Sequence, residues 1–446
     1  MAEHDVIIVG GGPAGMAAAG VVARHGLCVG IIEQRQKPGG AIYRQPIAGV
    51  TPVARSRAAG RRFQSLLSDL DRPGVNFLSS RVFLGIDADG YVLCEDRTCN
   101  VVERLKARVV ILATGAVERI LPRPGWELDG VSTAGGLQLM MKETARSPAG
   151  RVLLAGSGPL LVAVAAQMAS LGNPPVAIIE AGDPLRQIAR GLGLLAHPAL
   201  LAEALSYMVQ VEKSPARWIR ASNLAAIERK DGLLQCEVVR SDGKVERFEV
   251  DRVGLHDGIV PNSLGLPAAR GAYGTMPLIL HAGDCREALG AVAAGVDGAR
   301  AGLAALVLAG KTVREAGLVE RALEKQRHAQ TILASLFAPV RPQRLGDLPD
   351  NTLLCRCEGR TVGDLRNLVD RDDALTGREV KHNGRFAMGS CQGRFCAAAT
   401  AALMSELRPG DPPASAKDIT GQRWPLRPVS IAALIHAAPD QTPIED

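Results

Sequence analysis

Aromatic residues are scarce in this chain, 3% of 446 positions. That scarcity removes the stacking surface on which single-stranded nucleic acid would lie. Charge of one sign is scarce too: the formal net charge is only +6, spread without long basic runs. A nucleic-acid partner is therefore not expected, although a modest attraction to an acidic partner or an anionic surface remains open. Long uncharged apolar runs are missing. The longest bland stretch, residues 288–309, contains Asp297, Arg300 and several glycines, so it reads as a buried helix and no transmembrane segment is expected. The charged N-terminus leads directly into a strand and does not fit a secretory signal. A cytoplasmic protein is expected, at most peripheral at the inner membrane.

What is present is organised around the first thirty-five residues. Val6 to Val9 is a short β-branched run suited to a buried parallel strand. It breaks into Gly10-Gly11-Gly12-Pro13-Ala14-Gly15, and residues 14–25 then read as a helix of small and apolar side chains. A second strand, Val29 to Ile32, ends on Glu33. Each part suits a bound dinucleotide. Gly10 permits the tight turn, Gly12 lets backbone approach a pyrophosphate, and Gly15 lets helix and strand pack closely. The helix N-terminus faces the phosphates, and Glu33 is placed to grip a ribose.

Farther along, Gln34, Arg35 and the turn at Gly39-Gly40 could lie against a flat ring, with Tyr43 and Arg44 beside it. A helix over 60–71 and a strand over 75–78 precede a small meander at 81–86, 91–95 and 99–103, which includes Val82. The strand 109–112 ends at Ala113-Thr114-Gly115, a natural strand tip beside the same nucleotide. Residues 116–130 form a Pro-rich crossover in which Trp126 serves packing. A second nucleotide-type unit follows, with a strand at 151–155, the turn Gly156-Ser157-Gly158-Pro159, an Ala-rich helix at 160–171 and a strand ending on Glu180. Leu161 stands where the third glycine would be, and it is expected to crowd a pyrophosphate there. Residues 185–210 form an apolar helical insert, a candidate packing surface for another subunit. The strand from Leu278 ends at Gly283 and Asp284, whose carboxylate can meet ribityl hydroxyls. The following helix can stabilise negative charge on a reduced flavin. Residues 311–337 read as two helices.

Nine cysteines are present, four of them close together as Cys355-Arg356-Cys357 and Cys391-Gln392-Gly393-Arg394-Phe395-Cys396. Two close pairs can supply four thiolates to a metal or a cluster. A [2Fe-2S] cluster, a tetrathiolate zinc and plain reduced cysteines all remain open. The uneven spacing favours iron–sulfur over zinc, and a helix N-terminus with Arg356, Arg360 and Arg394 would favour thiolate. The other five cysteines read as core residues, and the eight histidines show no ligand spacing.

These motifs carry a resemblance. Gly10-Gly11-Gly12-Pro13-Ala14-Gly15, Ala113-Thr114-Gly115 and Ala282-Gly283-Asp284 occur in the order found in the two-dinucleotide-binding flavoprotein disulfide reductases. Adding Pro38-Gly39-Gly40-Ala41-Ile42-Tyr43-Arg44, Cys355-Arg356-Cys357-Glu358, Met388 to Cys396 and Trp424-Pro425-Leu426-Arg427-Pro428, nearly the whole chain resembles the α subunits of bacterial heteromeric amino-acid dehydrogenases. These include the opine oxidases, the hydroxyproline and proline dehydrogenases and the FAD subunit of hydrogen cyanide synthase. The cysteine region is similar to bacterioferritin-associated ferredoxin. The chain departs from the disulfide reductases at Ser132-Thr133-Ala134-Gly135-Gly136, which has no redox cysteine pair, so dithiol exchange is not expected.

The resemblance implies an α/β protein with two Rossmann-like units and a small α-rich [2Fe-2S] domain. FAD binding is expected from residues 1–120 and 265–310, a degenerate second unit from 121–264, a helical linker from 311–349, the cluster domain from 350–410 and a tail from 411–446. It also implies FAD on the first unit, a cluster on Cys355, Cys357, Cys391 and Cys396, and room for FMN at the interface with a β subunit. That catalytic β subunit would be a glycine-oxidase-like flavoprotein. A small ferredoxin-like γ subunit would be a further partner, and the electron acceptor is unidentified. No side chain here reads as a general base. The alternatives are an independent NAD(P)H-dependent flavoprotein reductase and a non-redox assembly subunit holding ATP or ADP.

Overall fold

The computed structural model describes residues 3–269, 277–371, 375–421 and 424–435. The opening strand β1 (Glu3–Val9) places Val6, Ile7 and Ile8 wholly out of solvent at the middle of a sheet. Helix α1 (Pro13–Arg24) begins with proline, whose missing N–H costs nothing in a first turn. It ends at His25 before Gly26, which adopts φ +76°. The chain continues through β2 (Val29–Ile32), α2 (Arg57–Leu70), β3 (Val75–Leu78), β4 (Arg81–Ile86), β5 (Val92–Asp96) and β6 (Val101–Leu112). Strands β3, β2, β1 and β6 lie in that order and in parallel, with Val6 opposite both Val29 and Val109.

The sequence divides β6 into a meander strand and a separate buried strand; the structure makes it one strand of 12 residues. Its first half is antiparallel to β5, and its second half is parallel to β1. Residues 101–108 are mixed in burial and only 109–112 are buried throughout, so this one strand reads as two elements.

The crossing strand β7 (Ala116–Glu118) leads to a second unit: β8 (Val131–Thr133), α3 (Ala134–Thr144), β9 (Val152–Gly156), α4 (Pro159–Ser170) and β10 (Ala177–Glu180). The apolar insert is a 3-10 helix, Ile188–Ala196, followed by α5 (Pro198–Glu212). Next come β11 (Arg217–Ile219), an antiparallel meander of β12 (Ser222–Lys230), β13 (Leu233–Arg240) and β14 (Val245–Val250), then β15 (Arg252–His256) and β16 (Ile259–Pro261). The second sheet is parallel in the order β11-β10-β9-β15-β8. Strand β17 (Leu278–His281) then returns to the first sheet beside β6.

Helix α6 (Ala291–Leu308) is long and apolar enough to cross a membrane by length and composition alone. It is nonetheless packed on α1: a Cβ at Gly298 would fall 2.1 Å from the Ala14 carbonyl oxygen. Helix α7 (Ala316–Leu336) is one helix where two were expected. No glycine or proline interrupts residues 318–336, and Leu323, Ile332, Leu333 and Leu336 share its buried side. The cysteine region has its own apolar core and comprises β18 (Leu353–Cys355), β19 (Arg360–Thr361), α8 (Val362–Arg371), α9 (Gly377–Gly384), α10 (Ala397–Leu407) and α11 (Ala416–Thr420). A last short helix, α12 (Ile431–Ile435), lies beyond the returning tail. The molecule is thus a mixed α/β fold with two Rossmann-like sheets.

Candidate functional site

A cavity of about 1350 Å³ opens at the C-terminal ends of both parallel sheets. The glycine turn after β1 forms its floor. Gly10 adopts φ +112°, and a Cβ there would stand 2.4 Å from the Ala113 carbonyl oxygen on the neighbouring strand. Gly15 faces the sheet, where a Cβ would fall 1.9 Å from the Gly10 carbonyl oxygen. Gly12 is different: only the Gly40 Cα comes near, at 3.7 Å. The first and third glycines therefore serve backbone packing, and the middle one leaves its space to the cavity.

Of the residues singled out from sequence, Gly10, Gly12, Pro13, Ala14, Glu33, Gln34, Arg35, Gly40, Arg44, Val82, Ala113, Thr114, Gly115 and Asp284 line this cavity. Gly15, Tyr43 and Gly283 do not. Tyr43 is buried and stacks on Phe63 with ring centroids 4.8 Å apart, so it supports the Gly39-Gly40 turn from behind. Gly283 gives its N–H to Asp297 Oδ2 at 2.6 Å, and a Cβ there would strike Ala14.

The Glu33 carboxylate accepts the N–H of Gly11 at 2.7 Å and of Arg35 at 3.0 Å, which orients it at the end of β2. Asp284 accepts two N–H groups at the start of α6, from Leu289 at 3.0 Å and Gly290 at 2.9 Å. Burial nevertheless pushes its carboxyl above the ordinary range. The Arg44 side chain is nine-tenths buried, pairs loosely with Glu143 at 3.6 Å and leaves its Nε without a partner. Burial, then the nearby Arg35, lowers its pKa. A buried cation with an unused donor, facing a cavity floored by glycine amides, fits the pyrophosphate of a dinucleotide.

The same cavity reaches the second glycine turn. There Glu180 is wholly buried and accepts from Gly158 at 3.3 Å and Gly182 at 3.0 Å. Burial raises its carboxyl to about 7. Leu161 does not crowd the turn, contrary to expectation. It is buried between α3 and the sheet with Leu137, Met141 and Leu154, because the third position of the turn faces the helix–strand contact. Sequence reading missed a buried pair on the cavity wall, His256 Nδ1 at 2.8 Å from Glu118 Oε1. Glu118 and His256 are 138 residues apart, and only the closing of β7 onto β16 and of β15 onto β9 brings them together.

In the C-terminal region Cys396 lies next to Cys355 and Cys391, and Cys391 lies next to Cys357. Sharing a proton with Cys396 is the main reason that the Cys355 and Cys391 thiols are held below the ordinary range, against burial. Backbone N–H groups of Ala387 and Glu358 add to the first, and those of Phe395 and Gly393 to the second. Cys396 is pushed up in return.

None of the three arginines is among the leading causes. Arg356 lies over the Trp126 ring at 5.2 Å, Arg360 faces Asp364 at 3.9 Å, and Arg394 lines the cavity. Among the described residues, no group of three His, Cys, Asp or Glu side chains is disposed as a metal site. The donor chemistry, sulfurs in mutual contact within a loop of converging amides, does fit a thiolate-bound group. Of the remaining cysteines, Cys94, Cys236 and Cys285 are buried as expected, but Cys99 is exposed at the meander turn and Cys28 is half-buried. Arg394 and Phe395, inside the Cys391–Cys396 loop, line the same cavity as the first glycine turn. So do Leu426 and Arg427 of the returning tail, which sequence reading left without a role.

Known proteins place these features in context. A family model described as pyridine nucleotide-disulphide oxidoreductase matches residues 4–286. The opine oxidase A subunit of Rhizobium meliloti is 30% identical over 97% of this chain and 98% of that one. Hydrogen cyanide synthase subunit HcnB of Pseudomonas aeruginosa is 31% identical over 87% of this chain and 90% of that one. Among solved structures, L-proline dehydrogenase from P. horikoshii shares the fold, with a TM-score of 0.65 at 18% identity over 97% of this chain and 79% of that one.

Proposed function

This chain belongs to the pyridine nucleotide-disulphide oxidoreductase family of FAD-dependent oxidoreductases, and from that premise we propose that it is the electron-transferring α subunit of a heteromeric dehydrogenase. The enzyme oxidises the C–N bond of an opine or a (hydroxy)proline-type amino acid. The observation that carries the reading is the shared cavity: one wall is the glycine turn at Gly10 and Gly12, another is Arg394 and Phe395 between two of the clustered cysteines. A flavin on the first and a [2Fe-2S] cluster on the second would be neighbours. The full-length relatives are by name components of larger enzymes, the A subunit of opine oxidase and the HcnB subunit of hydrogen cyanide synthase, which supports a subunit role.

In this reading Gly10, Gly12, Pro13, Ala14 and Arg44 hold the pyrophosphate of FAD. Glu33, with Gln34 and Arg35, faces its ribose. Val82, Gly40 and the strand tip Ala113-Thr114-Gly115 border the rest, and Asp284 meets the ribityl chain. Cys355, Cys357, Cys391 and Cys396 hold the cluster. When bound, a flavin takes an electron pair and releases electrons singly, and a two-iron cluster carries one electron at a time. Substrate oxidation belongs to a catalytic β subunit resembling glycine oxidase. FMN occupies the α–β interface, and a small ferredoxin-like γ subunit is a further partner. The protein acts in the cytoplasm.

Anaerobic purification, followed by flavin release and iron analysis, tests the reading. One FAD and about two irons per chain are expected. Stopped-flow mixing with NADH should leave the flavin oxidised, whereas rapid bleaching would indicate a self-sufficient reductase. A colourless protein with bound ADP or zinc would indicate a non-redox assembly subunit.

A further inference from the structure

We infer that the second nucleotide-type unit has exchanged its nucleotide for the chain's own linker, and that it now serves as the anchor holding the cysteine region against the cavity. In an open parallel sheet the ligand crevice lies at the carboxyl ends of the strands where their order reverses. In the second sheet that place is bordered by Gly156 on β9, by Glu180-Ala181-Gly182 after β10 and by His256 on β15. In the first unit the equivalent strand end, at Glu33, faces an open cavity. In the second the strand end at Glu180 and Gly182 is covered, although Ala181 and the turn at Gly156-Ser157-Gly158 still border the cavity.

The cover is segment 337–340, which follows α7. Ser157, in the glycine turn, donates its hydroxyl to the Phe337 carbonyl oxygen at 2.5 Å. The Val340 N–H donates to the Ala181 carbonyl oxygen at 2.9 Å, and Pro339 forms an antiparallel bridge with Gly182. Gly182 has no side chain to spare: a Cβ there would stand 2.8 Å from the Phe337 carbonyl oxygen. A strand-end residue that in a nucleotide-binding unit faces the adenosine ribose here faces backbone.

The stitching continues along the linker. Asn223 Nδ2 donates to the Arg341 carbonyl at 3.2 Å, and Gln343 Nε2 to the Pro122 carbonyl at 2.5 Å. The Trp126 indole N–H donates to the Leu353 carbonyl at 2.7 Å. Arg356 donates to the Glu127 carbonyl at 3.2 Å while lying over the same indole. A linker that merely connected two domains would cross the surface with few such bonds. This one is tied to the second unit from Phe337 to Arg356, ending between the first two clustered cysteines. The crevice is therefore a mooring for the cysteine loop that meets the cavity.

The inference stands whether or not the flavin and the cluster exchange electrons, and its test reads neither. Trypsin cleaves after Arg344, just beyond the strap, but not after Arg341, which precedes Pro342. In the full-length holoprotein, cleavage at Arg344 is expected to be slow, and titration with NADH or ADP-ribose should give no binding at the second unit. Gly182→Leu, which displaces the Phe337 carbonyl, should speed cleavage at Arg344 at least about tenfold with flavin content unchanged. Ser157→Ala, a milder change that keeps the fold, should speed it about fivefold through the lost hydrogen bond. The inference is overturned if the wild-type strap is cut as fast as that of Ser157→Ala. It is equally overturned if NADH or ADP-ribose binds stoichiometrically and speeds cleavage at Arg344. Loss of flavin or iron in the wild-type protein would speak against the electron-transfer reading instead.

Discussion

The Glu33 carboxylate accepts the Gly11 N–H at 2.7 Å from beneath the turn that floors the cavity. Its partner oxygen accepts the Arg35 N–H, so one side chain fixes both the glycine turn and the loop that leaves β2. The second unit repeats the device with Glu180, Gly158 and Gly182. The two copies differ in surroundings. Glu33 lines an open cavity, with carboxylate lone pairs still available for a ribose. Glu180 lies beneath the strap with no exposure at all, although the glycine turn beside it still borders the cavity.

Glu33→Ala should therefore weaken both fold and flavin binding. It strands two backbone N–H groups, each costing about 1–3 kcal/mol when buried without a partner. The melting temperature of the flavin-free protein should fall by several degrees. The fraction of chains purifying with flavin should drop about tenfold or more. Flavin absorbance per chain and scanning calorimetry check both outcomes, and unchanged flavin content would remove Glu33 from the site.

Two neighbouring glycines should part company on substitution. Gly15→Ala puts a Cβ 1.9 Å from the Gly10 carbonyl oxygen, a collision between backbones that no side-chain movement relieves. It should cost at least about 3 kcal/mol and yield little folded protein. Gly12→Ala meets only ordinary contact at 3.7 Å from Gly40 Cα, so the chain should fold to near-normal stability. Its new methyl projects where backbone must approach a pyrophosphate, so flavin should be lost. Circular dichroism and flavin content distinguish the pair.

Why the first unit was so legible follows from these same positions. Turn, helix and strand end lie within residues 9–35, where the periodicity and the glycine spacing are local signals. The spacing within each cysteine pair was a local signal too, whereas helix α9 was not expected. What sequence hid was contact across long separation. Leu161 looked like an obstruction because its position in the turn was known but the burial direction of its side chain was not. The strap at 337–340 fell inside the expected linker 311–349, because proline-rich composition signals a linker equally well on the surface and in a crevice. His256 and Glu118 carried no signal, being joined only once two strand pairs have formed.

Acid should favour the second unit. Burial raises the folded pKa of Glu180 to about 7, against an ordinary value of 4.5. Between these values the folded state holds a proton that the unfolded state has released, so stability falls as pH rises through this window. The stabilisation is fully present below about 4.5 and lost above about 7, and its order of magnitude is about 3 kcal/mol. Glu180→Gln, neutral at every pH, should flatten this part of the profile. Urea unfolding of both proteins at pH 5 and pH 8 measures the difference, and equal slopes would contradict it.

The buried pair on the cavity wall should be energetically coupled. Glu118 Oε1 accepts from His256 Nδ1 at 2.8 Å and from the Gly135 N–H at 2.9 Å, so it joins the crossing strand β7 to both β15 and the start of α3. Both side chains are largely buried, 13% and 4% exposed, which keeps water from replacing a lost partner. His256→Leu should leave the carboxylate with the Gly135 amide alone, and Glu118→Gln should leave the imidazole facing an amide that cannot accept as strongly. Each single change should cost about 1–3 kcal/mol, and the double change less than their sum by about 1 kcal/mol or more. Denaturant unfolding of the four proteins closes the cycle. Strict additivity would mean that the two side chains hold their places through separate packing, and that the wall between the two units owes nothing to their hydrogen bond.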